Sequence, residues 1–277
     1  MNAPLASPVE SAPQSTAPVL EFRGITVSFD GPPVLNNISF SVAPGETRIL
    51  LGPAGVGKSV LLKTANGLVQ PDSGTVAILG ENITGLPERT LIPMRARTGM
   101  VFQEGALFDS LTVRDNVAYQ LIQERVADEE VDERVHTALR FVGLEQTFSL
   151  FPSSLSGGMR RRVAIARALI HYPELLLYDS PTGGLDPVTS TTIIELIVKQ
   201  RDVYKTPSLL VTHRLQDAFT MCSHRFDTEK DAMVPLPEGE THTNTSFLML
   251  NEGELIFDGS LHDLVRSENK FVREFIE

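Results

Sequence analysis

The segment Gly52-Pro53-Ala54-Gly55-Val56-Gly57-Lys58-Ser59 fits the pattern G-x-x-x-x-G-K-[ST], whose residue types suit the cradling of a phosphate chain. Its glycines let successive backbone N–H groups turn toward one anion without side chains in the way. The apolar run from Val60 that follows reads as a helix, whose N-terminus adds partial positive charge at the same point. Lys58 would reach the β- and γ-phosphates, and the Ser59 hydroxyl would bind Mg²⁺. A chance match arises about once per hundred chains of this size. Asp179 ends the apolar run Leu175-Leu176-Leu177-Tyr178, where a carboxylate can hold Mg²⁺ from the far side. Alone, such an Asp is commonly only a cap. His213 follows the apolar run Leu209–Thr212, a place from which a side chain reaches a γ-phosphate; alone it would more often be structural.

These groups need elements to carry them. Ile25, Val27 and Phe29 alternate with Thr26 and Ser28, the period of a half-buried strand, and Ile38, Phe40 and Val42 repeat it after a turn at Asp30–Pro33. Arg48–Leu51 is a short strand running straight into the glycine-rich loop, and Thr75–Leu79 is another, ended by Gly80. Val131, Val135, Leu139 and Val142 recur at helical spacing, and Met159–Ile170 reads as a second helix. Pro187 starts a helix whose inner face is Ile193, Ile194 and Ile197. Strands alternating with helices predict an α/β fold with a mostly parallel sheet, an antiparallel β portion near the start, and a helical insert from about residue 104 to 156. Residues 227–246 read as a surface loop before the strand Phe247–Leu250. Residues 261–277 read as an amphipathic helix docked on the core, through Leu261, Leu264, Val265, Val272, Phe275 and Ile276.

Composition bounds the partners. The 277 residues are 42% hydrophobic and 21% charged, ordinary for a globular chain. A net charge of −11 argues against nucleic acid as a partner. The single cysteine, Cys222, fits a reducing compartment and reads as a small buried hydrophobe. No apolar run approaches the ~20 residues that cross a bilayer. Residues 1–18 lack the basic start and apolar stretch of a signal peptide and read as a disordered tail. A cytoplasmic protein that meets the membrane through another chain is expected.

Leu155-Ser156-Gly157-Gly158-Met159 lies upstream of Asp179, and Gln103 and Leu185-Asp186 complete an ordered set with the phosphate loop and His213. In this combination the chain resembles the ATP-binding subunits of ABC transporters, from roughly Val19 to Gly259. The resemblance implies a P-loop NTPase (RecA-like) core with an N-terminal antiparallel β subdomain and a helical signature subdomain over about 104–165, all within a nucleotide-binding domain spanning 19–260. ATP and Mg²⁺ would be bound along Gly52, Pro53, Ala54, Gly55, Val56, Gly57, Lys58, Ser59 and Val60. Phe29 would stack on adenine, although its own pattern equally allows core packing, and Gln103 would touch Mg²⁺ and the attacking water. Two copies would close head-to-tail, with Ser156, Gly157 and Gly158 of one meeting the γ-phosphate held by the other. A helix start after two glycines is itself an anion site, and a second such site on one chain makes sense if it serves a neighbour.

The stretch Gly105-Ala106-Leu107-Phe108 after Gln103, and the methionine in Ser-Gly-Gly-Met, resemble the Mla/Mce-type phospholipid-transport ATPases. That resemblance implies an integral membrane permease as partner, an Mce-type lipid-binding protein beyond it, and a place on the inner face of the cytoplasmic membrane. Amino-acid importers and cell-division ATPases share much of the pattern.

One position departs from it. Where the family has a glutamate after the aspartate, Ser180 stands here. A serine hydroxyl is no general base near neutral pH, whereas a carboxylate contributes about 10²–10⁴-fold in rate. Slow turnover aided by His213 and Gln103, a carboxylate from elsewhere such as Glu104, and an ATP-gated dimerisation module that seldom hydrolyses are the readings this leaves. Ser180→Glu is expected to raise basal phosphate release by the purified protein; an unchanged rate would show that the missing carboxylate is not limiting.

Overall fold

The computed structural model describes residues 17–277, so the reading of a tail over residues 1–18 lies almost wholly outside the described residues. Strands β1 (Leu20–Ser28) and β2 (Pro33–Val42) pair antiparallel across the Asp30–Pro32 turn. After β3 (Thr47–Leu51) and helix α1 (Lys58–Ala65), β4 (Ser73–Ile78) and the two-residue β5 (Glu81–Asn82) join them. The order is β2-β1-β4-β5, antiparallel throughout. Alternation along β1 buries Leu20, Phe22, Ile25 and Val27.

The second sheet carries the chemistry. Helix α2 (Glu88–Ala96) leads to β6 (Thr98–Val101); α3 (Val113–Gln123), α4 (Asp128–Phe141) and α5 (Gly157–Leu169) then precede β7 (Leu175–Asp179). Helix α6 (Pro187–Lys199) connects to β8 (Ser208–Val211), and α7 (Leu215–Ser223) to β9 (His224–Asp227) and β10 (Ala232–Pro235). Strands β11 (Thr245–Asn251) and β12 (Glu254–Gly259) are followed by α8 (Leu261–Val265) and α9 (Lys270–Ile276). The sheet order is β12-β11-β3-β8-β7-β6, parallel from β11 to β6 with β12 antiparallel at one edge.

Every residue of β3, β7 and β8 is buried, the signature of parallel strands covered on both faces. Ile49, Leu51, Leu176, Tyr178 and Leu210 face the layer formed by α3, α4, α5 and α6. Leu50, Leu175, Leu177, Leu209 and Val211 face α1 and the antiparallel sheet. The α/β class and its antiparallel N-terminal portion are as the patterning predicts. Cys222 is buried, and that burial pushes its thiol up to about 12.

Several local readings need correction. The expected surface loop over 227–246 contains β10, paired with β9 in the register Ala232↔Asp227 to Pro235↔His224. Local turn chemistry makes this hairpin: Asp227 Oδ1 accepts the N–H groups of Glu229 and Lys230, and Asp231 adopts a left-handed φ of 47°. The hairpin is tied down by Asp202, which accepts from His242, Arg201 and the Phe226 N–H. Burial alone would raise this carboxyl, but those bonds outweigh it and hold it at about 2. The single C-terminal helix is two short ones, because Asn269 starts α9 afresh by accepting from the N–H groups of Phe271 and Val272. Residues 104–112 of the expected helical insert are loop, held by the buried Asn116 amide, which donates to the carbonyls of Phe108, Leu111 and Thr112. Phe29 lies beyond the end of β1 rather than within its alternation.

Helix α5 approaches α6 through Gly158, where a Cβ would run into the Thr189 methyl. Thr189 has little room to yield, since its hydroxyl donates to Asp186 Oδ2 at 2.5 Å. Gly158→Ala is therefore expected to cost about 1–3 kcal/mol, lowering the melting temperature by about 2–4 °C per kcal/mol. Adding Thr189→Ser, which removes the opposing methyl, should recover most of the loss in a thermal melt.

Candidate active site

Four neighbouring parallel strands end at one edge of the sheet, and each delivers a polar group there. The phosphate loop follows β3, Gln103 follows β6, Asp179-Ser180 closes β7, and His213 comes two residues after β8. Crevices at the carboxyl ends of parallel strands are where α/β sheets bind ligands.

The loop between β3 and α1 is shaped by its glycines. Gly52 has φ 150° and lies against the Leu250 carbonyl, where a Cβ would collide; Gly57 has φ 105°, and its Cβ would lie 2.9 Å from the Val34 carbonyl oxygen. Gly57 is also the N-cap of α1, with no side-chain acceptor, so the first N–H groups of the helix stay available for an anion. Lys58 folds back into the loop, donating from Nζ to the carbonyls of Gly52 at 2.7 Å and Pro53 at 2.6 Å. Burial lowers its pKa, and the Asp179 charge opposes the shift.

Ser59 donates its hydroxyl to Asp179 Oδ1 at 3.1 Å. These two hard oxygens, side by side next to the phosphate cradle, are the kind of donor set that holds Mg²⁺. Among the described residues no cluster of three His, Cys, Asp or Glu side chains could hold a metal, so any site here relies on substrate and water for its other ligands.

Gln103 and His213 are both exposed. A Cβ on Gly183 would lie 3.6 Å from the Gln103 amide nitrogen, which places Gln103 over the turn that follows Asp179. Ser180 is buried at 7% exposure, with its N–H bonded to the Val211 carbonyl at 2.9 Å and φ at 45°. Phe29 is 56% exposed, so core packing is not its role. Ser156 caps α5, its hydroxyl accepting from the Met159 N–H at 3.2 Å. Ser156 and Gly157 are exposed, Gly158 is buried, and none of the three hydrogen-bonds to residues 52–60.

Arginines that sequence reasoning missed hold the turn. Arg161 and Arg214 bond its carbonyls, and the Thr182 hydroxyl donates to Asp217. The signal for Arg161 was present: Gly158, Arg161, Ile165 and Leu169 share one buried stripe of α5. A separate cleft of about 320 Å³ is lined by Phe102, Ala106, Phe108, Tyr119, Arg167 and His171, with the Phe108 and Tyr119 rings 4.7 Å apart.

A family model described as ABC transporter matches residues 35–183, which hold the phosphate loop, Gln103, the signature and Asp179. The chain belongs to that family. It is an ABC ATPase, a P-loop enzyme of the ATP-hydrolysing kind whose substrate is ATP and whose cofactor is Mg²⁺. Similar to it is the chloroplastic protein TRIGALACTOSYLDIACYLGLYCEROL 3 of Arabidopsis thaliana, 37% identical over 93% of this chain and 73% of that one. The methionine import ATP-binding protein MetN of Rhizobium etli is 42% identical over 75% of this chain, which spans only 58% of that relative. A solved dimeric ATP-binding cassette in a post-hydrolysis state with ADP and Pi superimposes with a TM-score of 0.74 at 27% identity, over 87% of this chain and 98% of that one. CbiO1 from Clostridium perfringens gives the same score at 26% identity, over 93% and 94%. Cassettes of this family form dimers and partner membrane permease subunits. Among the described residues of this ABC ATPase, no helix is long and apolar enough to cross a membrane.

Asp179→Asn keeps the strand and loses the hard anionic oxygen. Titration calorimetry should find that the gain in ATP affinity on adding Mg²⁺, present in the parent chain, shrinks at least tenfold in the variant.

Proposed function

We propose that this ABC ATPase turns ATP-driven closure of a two-copy dimer into work on a membrane permease, and that the cargo is phospholipid. The observation that carries the dimer is the separation of two anion sites on one chain. The cradle at residues 52–60 offers one anion site, while the start of α5 at Ser156-Gly157 is exposed and makes no hydrogen bond to that cradle. Facing a second copy head-to-tail, each α5 start closes on the γ-phosphate lying in the other chain's cradle.

In this reading Lys58 exchanges its two loop carbonyls for β- and γ-phosphate oxygens. Ser59 and Asp179, with Gln103, would hold Mg²⁺, which would supply positive charge to neutralise the phosphates. Gln103 and His213 orient the attacking water. Phe29 offers its exposed ring to the adenine face. Ser180 takes no proton, so hydrolysis is slow and release of the closed pair is correspondingly delayed.

The cleft beside β6 is the seat for a short helix of the permease. Its lining includes Phe102, Ala106 and Phe108, from the stretch that resembles the Mla/Mce-type ATPases. The plant relative, named for a galactolipid, spans most of this chain and supports a lipid cargo, with an Mce-type protein beyond the permease. The whole complex would sit on the inner face of the cytoplasmic membrane. The methionine import relatives, at 40–42% identity, favour amino-acid import as the second reading.

Lys58→Ala should lower ATP affinity about tenfold to a hundredfold, the scale of one or two charge-assisted hydrogen bonds, and abolish ATP-driven dimerisation in analytical ultracentrifugation. For the cargo, complexes extracted in detergent should carry bound phospholipid and a permease. Recovery of a methionine-binding permease instead would overturn the lipid reading.

A further inference from the structure

The turn that follows Asp179 is gripped from two sides. Arg161, on α5, donates Nη1 to the carbonyls of Ser180 at 2.9 Å and Pro181 at 3.0 Å, and Nη2 to that of Gly183 at 3.3 Å. Arg214, beside His213, donates Nη1 to the carbonyls of Thr182 at 3.1 Å and Leu185 at 3.4 Å, and to the Ser190 hydroxyl at 2.8 Å. Between them the two guanidiniums occupy every carbonyl from Ser180 to Gly183.

Arg161 is the unusual one. It is 5% exposed, yet no carboxylate contacts it among the described residues. Burial pulls its pKa down, and only the more distant charges of Glu104 and Asp179 push the other way. A buried cation neutralised solely by backbone dipoles is costly, and a hydrophobic residue on this stripe of α5 would avoid that cost. What the guanidinium supplies instead is a planar fork spanning three carbonyls of one turn. That turn holds Ser180 in the left-handed region, a conformation that persists in a non-glycine residue only where its surroundings over-determine it.

The same helix that carries Arg161 begins with Ser156-Gly157-Gly158, whose first two residues are exposed. That helix start is locked to the next loop, because Gly158 abuts Thr189 and a Cβ on Gly157 would lie 3.7 Å from Leu185 Cδ2. We propose that Arg161 is a positioning residue that couples the two nucleotide sites of the dimer. Contact of Ser156–Gly158 with the neighbour's ATP pulls on α5, and Arg161 passes the displacement to the Ser180 turn beneath the chain's own ATP. The proposal rests on the head-to-tail dimer put forward above.

The test uses the full chain with Mg²⁺. ATP-driven dimerisation is followed by analytical ultracentrifugation, and ADP binding to the monomer by calorimetry. Arg161 touches no residue of the cradle, so Arg161→Gln should leave ADP affinity within twofold while raising the ATP concentration for half-dimerisation at least tenfold. Should the glutamine variant fail to fold, Arg161→Lys, which keeps the charge without the fork, carries the same test and should give at least a threefold rise. Unchanged dimerisation in the folded variant overturns the coupling. So does an ADP affinity that falls in step with dimerisation, because that marks a merely structural residue. A parent chain that stays monomeric in ATP overturns the dimer reading itself, and this inference with it.

Discussion

The site exists because β3, β8, β7 and β6 run side by side in one direction and stop at one edge. That arrangement depends on burying the sheet on both faces, since parallel strands have no exposed side to leave polar. Alternate residues of the same short strands, such as Leu176 against Leu177 and Leu210 against Leu209, go to opposite hydrophobic layers. A shift of one residue in any of these strands would exchange its two faces and carry its terminal polar group out of place. Packing thus sets the geometry of the chemistry.

Electrostatics at the edge are arranged with few carboxylates. Asp179 is the acid paired with Ser59 beside the cradle, while Arg161 is satisfied by main-chain oxygens and Arg214 by two carbonyls, the Ser190 hydroxyl and Asp217. The turn is held by many oriented dipoles together with the buried Asp217, which accepts from the Thr182 hydroxyl and pairs with Arg214. With Ser180 rather than a carboxylate after Asp179, the edge is less acidic still.

Much of this was legible in the residues. The pattern from Gly52 to Ser59 demands a strand before it and a helix after it, and β3 and α1 are both there. The runs at Leu175 and Leu209 were too apolar to be anything but central strands. What escaped was set by tertiary contact or by turn chemistry. Phe29 continues an alternating pattern that the turn at Asp30 interrupts. Strand β10 is four residues long and owes its pairing to the Asp227 side chain, which hydrophobic period cannot reveal. Helix α3 has apolar residues on a face defined only by its neighbours, and α9 begins at an asparagine that the amphipathic pattern passes over. The buried stripe of α5 marks Arg161 as inward-facing, but the turn that it and Arg214 hold lies far off in sequence and is set by tertiary contact.

Lys58 shows how the loop keeps its form. Its ammonium, hydrogen-bonded to the carbonyls of Gly52 and Pro53, ties the end of the loop back to its first two residues. The ring closed in this way passes through Gly52, Gly55 and Gly57, whose positive φ angles let the chain turn so tightly. Form and charge of the loop thus rest on one side chain, and neither can be altered there without the other.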